Sequence, residues 1–133
     1  PFNKLLGLTI ESVALDRARI KLEMRDELIG NFIRGTLHGG VISSAMDVTG
    51  GIVAFSSLAE RLKGQSVEEK MERLSRMGTI DLRIDYLRPG AGTYFVVTGY
   101  VLRAGNRVAV TRMELHNDQE LLIAVGTGAY VIS

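Results

Sequence analysis

The sequence predicts an α+β domain in which one antiparallel six-stranded sheet wraps around a long central helix. Three observations carry that expectation. Arg17 to Met24 alternates strictly between charged and apolar residues, the period of a half-buried strand. Gly39 to Ala59 stays apolar or small except at Asp47, which suits a helix covered on nearly every side. From Thr79 onward, strand-like runs follow one another with short polar separators.

Taken in order, Leu8 to Ala14 supplies a hairpin partner for Arg17 to Met24, with the turn near Leu15 and Asp16. Asp26 to Gly35 reads as a helical turn and loop carrying Asn31 and Arg34, and the apolar helix begins after it. Ser66-Val67-Glu68-Glu69 has the form of a capping box, so a second, amphipathic helix is expected to run to Gly78. Its solvated face offers the pairs Glu69–Arg73 and Glu72–Arg76, each four residues apart. Thr79 to Tyr86 then alternates as a strand that ends at Arg88-Pro89-Gly90. The runs 93–103, 107–116 and 120–132 are joined by hairpin-length turns, and the last four strands are expected to form a simple meander. In the final strand Ala124, Gly126 and Gly128 share one face, either a groove of small residues into which the helix would settle or a β-bulge or twist.

Composition narrows the function. The chain has 133 residues, 46% of them hydrophobic, and fits a single domain spanning residues 1–133. Sixteen basic residues against fifteen acidic ones leave no broad electrostatic footprint for nucleic acid or an anionic membrane surface. The absence of cysteine excludes disulfides, thiolate metal sites and a cysteine nucleophile, and fits a reducing, cytoplasmic setting. The sequence opens on Pro1 and not on methionine, which leaves upstream residues open. Val41 to Leu58 approaches the roughly 20 apolar residues of a membrane span. It nevertheless contains Asp47 and four serines, and an aspartate at mid-span costs about 2.5 to 3.5 kcal/mol. A buried helix in a water-soluble domain is the expectation.

The chemistry centres on Asp47. An unpaired carboxylate on an apolar helix is costly, and no partner for it lies within one helical turn. A purely structural role, bonded to backbone or to a second subunit, stays open. At the start of the same helix, His38-Gly39-Gly40 leaves backbone N–H groups free where the aligned peptide dipoles favour negative charge on a carbonyl oxygen. Asp47 lies about 12 Å further along the axis. One chain's Asp47 and Gly39 are thus too far apart to share a reacting carbon, and a twofold dimer is the expected remedy. His38 is a helix cap or an orienting proton donor, and Asn31 a turn residue or a holder of water or carbonyl. A metal site of His38, His116 and Asp47 lacks any ligand spacing, and no cofactor is expected. Arg88, Arg103 and Arg107 flank two turns that a hairpin arrangement brings to one edge of the sheet, where they either keep the loop ends soluble or grip phosphates.

Leu37-His38-Gly39-Gly40-Val41-Ile42-Ser43-Ser44-Ala45-Met46-Asp47, together with Asp85-Tyr86-Leu87-Arg88-Pro89-Gly90 and Leu102-Arg103-Ala104-Gly105-Asn106, resembles the hotdog-fold acyl-CoA thioesterases of the PaaI-like group. Ser75 to Arg83 and Glu114 to Asn117 extend the similarity to the bacterial YigI-like subgroup, over nearly the whole chain. The resemblance implies a homodimer assembled into a homotetramer. It assigns Asp47 as general base or nucleophile, the Gly39 N–H as the group polarising the thioester carbonyl, and Asn31 as a group placing water or substrate. It also implies CoA across the subunit interface, with Gly40, Arg88, Arg103 and Arg107 as binding candidates. Arg61 to Met77 is longer than the minimal connection of that fold; it covers an acyl tunnel, meets another subunit or simply adds a solvated helix. Met46, Met71, Met77, Phe32 and Phe55 are candidates to line an adaptable channel for a medium or long acyl chain. The expected reaction is hydrolysis of acyl-CoA to free acid and CoA. Its rivals are a non-catalytic acyl-CoA-binding module and an enoyl-thioester hydratase or dehydratase.

Overall fold

The computed structural model describes residues 1–133 and is α+β, with a hotdog architecture. The order is α1 (Phe2–Leu6), β1 (Thr9–Val13), β2 (Arg17–Glu23), a 3-10 turn (Asp26–Leu28), β3 (Ile29–Asn31), β4 (Thr36–Leu37), α2 (Gly39–Arg61), α3 (Val67–Ser75), β5 (Gly78–Tyr86), β6 (Tyr94–Ala104), β7 (Val108–Asn117) and β8 (Leu122–Val131). The six long strands form one antiparallel sheet in the order β1-β2-β6-β7-β8-β5, and β3-β4 is a separate small hairpin.

This order corrects the expected meander. β6, β7 and β8 do follow one another, but β5 pairs with β8 at the far edge and β6 pairs with β2. The loop 87–93 carries the chain across, and the sheet thereby encloses the helix from both sides. α1 and the β3–β4 hairpin are further elements that periodicity did not mark, both too short to show a period. Arg25 fastens α1 by donating to the Leu5 and Leu6 carbonyls.

α2 seats Ile42, Ala45, Met46, Thr49, Gly50, Val53, Ala54 and Leu58 in the concave face of the sheet. The groove of small residues is there to receive it. A Cβ on Gly126 would lie 2.7 Å from Ile84 Cδ1, 3.0 Å from the Arg83 carbonyl oxygen and 3.1 Å from the Met46 Cε, so a side chain there would displace both the neighbouring strand and the helix. Gly128 gives way to the Tyr130 ring, which lies 2.7 Å from where its Cβ would be. The expectation of all-round cover fails on the opposite face, where Asp47, Val48, Gly51 and Ile52 are only half-buried and Phe55 is exposed. By length and composition α2 passes as a membrane span, although its inner face packs on the sheet.

α3 starts where its cap predicts, with the Ser66 hydroxyl accepting from the Glu69 N–H at 3.2 Å. Glu72 and Arg76 pair at 3.3 Å as expected. Arg73 does not pair with Glu69; its guanidinium instead donates to the Ile132 carbonyl at 3.0 Å, tying α3 to the end of β8.

Candidate active site

Two clusters of candidate groups lie along α2. The first is the helix start. The main chain is pinned there by the His38 N–H donating to Leu28 O at 2.8 Å and the Leu37 N–H donating to Gly90 O at 3.0 Å. His38 is the N-cap: its Nδ1 accepts from the Gly40 N–H at 2.8 Å. An accepting Nδ1 carries no proton, so the neutral ring holds its proton on Nε2. Gly40 is thereby spent on the cap, while the Gly39 N–H donates to no group of the chain. It is the open donor at the positive end of the helix. Tyr86 from β5 backs it, donating its hydroxyl to Gly39 O at 2.9 Å.

Asn31 lies at the tip of the neighbouring β3–β4 hairpin, where its Oδ1 accepts from the Ile33 N–H at 3.1 Å and the Arg34 N–H at 3.3 Å. It is a turn former, as its residue type suggests. Its side-chain NH2 remains the only part available to a ligand.

The second cluster surrounds Asp47. Its Oδ1 accepts from the Thr79 hydroxyl at 2.9 Å and from Tyr130, whose hydroxyl lies 3.1 Å from Oδ1 and 3.0 Å from the Asp47 carbonyl oxygen. Both donors fall on one oxygen, which leaves Oδ2 without a donor. Burial pushes the Tyr130 phenol well above its ordinary value, and the negative charge and hydrogen bond of Asp47 push it further. Tyr130 therefore stays a neutral donor. The carboxylate opens on a cavity of about 320 Å³ lined by Asn3, Asp47, Val48, Gly51, Ile52, Phe55, Leu74, Met77, Gly78, Thr79 and Tyr130. Leu74 and Met77, from the segment after α2, line one side of this cavity. A larger hollow of about 470 Å³ lies elsewhere, on the outer face of the sheet, where His116 sits among Glu11, Arg19 and Asp118.

Sequence reasoning missed Thr79, Tyr130 and Tyr86. Tyr130 carried a signal, since it continues the inward-facing series Ala124, Gly126 and Gly128. Thr79 carried none, because only the edge position of β5 brings it to the helix.

The three arginines do not meet. Arg88 stands at the helix start, beside Gly39 and Tyr86 in a cavity of about 390 Å³, with its guanidinium on the Leu122 carbonyl at 2.8 Å. Arg103 and Arg107 flank the β6–β7 turn, which Arg61 at the other end of α2 holds through the Ala104 and Gly105 carbonyls. The expected common edge is corrected for a simple reason. The loop after Arg88 and the β6–β7 turn are the two ends of the eleven-residue strand β6, roughly 36 Å apart.

Comparison with known proteins fixes the family. The Thioesterase superfamily model matches residues 34–124, a range that holds His38, Gly39, Asp47, Thr79 and Tyr86. The chain belongs to the thioesterase superfamily. As a thioesterase-superfamily member it is a thioester hydrolase, and its hotdog fold is that of its relatives. It is 48% identical over 132 residues to the medium/long-chain acyl-CoA thioesterase YigI of Escherichia coli K12, a match spanning 99% of this chain and 85% of that protein. A crystal structure from Shewanella oneidensis, described as related to the thioesterase superfamily, superposes with a TM-score of 0.94 at 50% identity, covering 100% of this chain and 87% of the other. The Escherichia coli PaaI protein shares the fold, with a TM-score of 0.78 at 23% identity over 99% of this chain and 83% of its own.

Proposed function

We propose that this thioesterase hydrolyses medium- or long-chain acyl-CoA to the free acid and CoA, in an active site that two copies of the chain complete together. One observation carries the chemistry: a carboxylate at the head of an apolar cavity, with one oxygen held by Thr79 and Tyr130 and the other free. The free oxygen either takes a proton from water or attacks the thioester carbon directly. The Gly39 N–H, with the helix dipole behind it, stabilises the oxyanion that forms. His38 presents its Nε2 proton beside that donor, suited to orienting the thioester or protonating the departing thiolate. Arg88 lines the same hollow as Gly39 and suits a CoA phosphate. The YigI relative, named for medium- and long-chain acyl-CoA, supports the substrate class.

The dimer is supported by β5. It is a nine-residue edge strand with an open side, and the half-covered face of α2 lies near it. Its Thr79 end touches Asp47 and its Tyr86 end touches Gly39. Antiparallel pairing of two β5 strands about Leu82 lays the Thr79 end of one along the Tyr86 end of the other. The carboxylate of one protomer is thereby brought toward the open N–H of its partner, twice per dimer. Further assembly to a tetramer is part of the same proposal, readable as particle mass.

Substitution Asp47→Asn keeps the shape and removes the base. Thiol release from acyl-CoA should fall by at least about a hundredfold, as for loss of a general base, with the oligomer intact by light scattering. Undiminished turnover in the purified variant would sink the mechanism.

A further inference from the structure

We infer that Phe55 sets the acyl-chain length by standing as a partition between two cavities on one face of α2; the inference rests on the proposed acyl-CoA reaction. Asp47, Gly51 and Phe55 are spaced four apart, so they form one stripe along the helix face that the sheet leaves open. The first cavity runs down this stripe from Asp47, under Leu74 and Met77, and ends at the Phe55 ring. A second cavity of about 410 Å³ begins on the other side of the same ring. Its walls are Val13 and Leu15 from the β1–β2 turn and Ala59 from the next turn of α2, and its mouth carries Glu60 and Lys63.

Exposure sets this second cavity apart from ordinary surface. Val13, Leu15 and Phe55 are 46%, 55% and 46% exposed, yet they converge on one hollow in line with the carboxylate. Large apolar side chains that gather around a concavity mark a binding surface. The helix supplies the scale. From Asp47 to Phe55 is eight residues, about 12 Å of axis. A carbon chain with bonds of about 1.52 Å advances about 1.25 Å per carbon, so the first cavity takes about ten carbons before it meets the ring. From Phe55 to Ala59 is one more turn, about 6 Å, or about five further carbons. Gly51 keeps the passage open, since a side chain there would stand in the path between Asp47 and the ring.

The test is a homologous series of saturated acyl-CoAs spanning roughly six to eighteen carbons, assayed by thiol release with the wild-type protein and the Phe55→Ala variant. Removal of the ring should move the optimum of kcat/KM by about five carbons. One buried methylene corresponds to about fourfold in affinity, so the ratio of kcat/KM for sixteen carbons over ten should rise by about tenfold or more. Adding Ala59→Trp to Phe55→Ala refills the second cavity and should return the optimum to the wild-type length. Phe55→Leu, a milder change, serves if Phe55→Ala does not fold, and should move the optimum in the same direction. Non-hydrolysable acyl-CoA thioethers of the same lengths, titrated calorimetrically, read the same ruler without turnover. Equal changes at every length in both variants, or an unmoved optimum, would overturn the inference. Absence of hydrolysis of every acyl-CoA by the wild type would instead refute the proposed acyl-CoA reaction, while the thioether affinities still decide the ruler.

Discussion

The residue that matters most after Asp47 is the one that holds it. Tyr130 donates from the sheet to the helix, and it does so at a carboxylate and a carbonyl of the same residue. A phenol in that position is held protonated, with its proton affinity raised from the ordinary 10.0 by burial and by the adjacent negative charge. The sign of the linkage follows. Below the unfolded value both states carry the proton, and the stabilisation is fully present. As pH rises past it, the unfolded chain loses the proton first and stability falls. Melting temperature should therefore decline above about pH 10 more steeply in the wild type than in Tyr130→Phe. That variant should also be less stable at neutral pH, by about 1 to 2 kcal/mol. Parallel pH profiles for the two proteins would contradict this account. Asp47 was legible in the sequence because a lone carboxylate on an apolar helix demands a partner; the inward face of Tyr130 was legible too, but not its pairing with Asp47, which lies 83 residues away.

At the scale of elements, the seating of α2 on the sheet decides where the carboxylate stands. Gly50 is the tight point. A Cβ there would lie 2.4 Å from the Tyr130 hydroxyl, 2.7 Å from Thr111 Oγ1 and 2.9 Å from Met113 Sδ. Gly50→Ala should lower stability by about 1 to 3 kcal/mol by urea unfolding, even though alanine in a free helix gains about 1 kcal/mol over glycine. Lost contact between Tyr130 and Asp47 should accompany it. A neutral or stabilised Gly50→Ala would mean that the helix has room to lift. Strict alternation and the Ser66 cap made β2 and α3 legible, since both signals are local. The strand order was not, because pairing partners are set by the whole enclosure of the helix. Arg88 is separated from Arg103 and Arg107 by the length of β6, a distance that holds for either strand order.

For the whole molecule, the separation of Gly39 from Asp47 was readable as a rise along one helix, and it already asked for two chains. In the proposed dimer, the strand that links them is β5, which reaches Asp47 at one end and Gly39 at the other. Gly39 offers a clean probe, because it is the first helical residue and His38 before it is extended at φ −61° and ψ 134°. Proline is well tolerated at such a position and removes only the N–H. Gly39→Pro and Asp47→Asn should each be inactive as pure proteins. Mixed in equal amounts and allowed to exchange subunits, they should regain about a quarter of wild-type thiol release, since half the dimers are mixed and each holds one intact site. No recovery after proven exchange would place both groups in one chain's site. The open side of β5 also bears on a chain that has not met its proposed partner. A newly made copy carries nine residues of unsatisfied strand edge, and such an edge joins any strand that reaches it. Variants that weaken the dimer should therefore appear as precipitate in the cell extract, with little soluble monomer to collect.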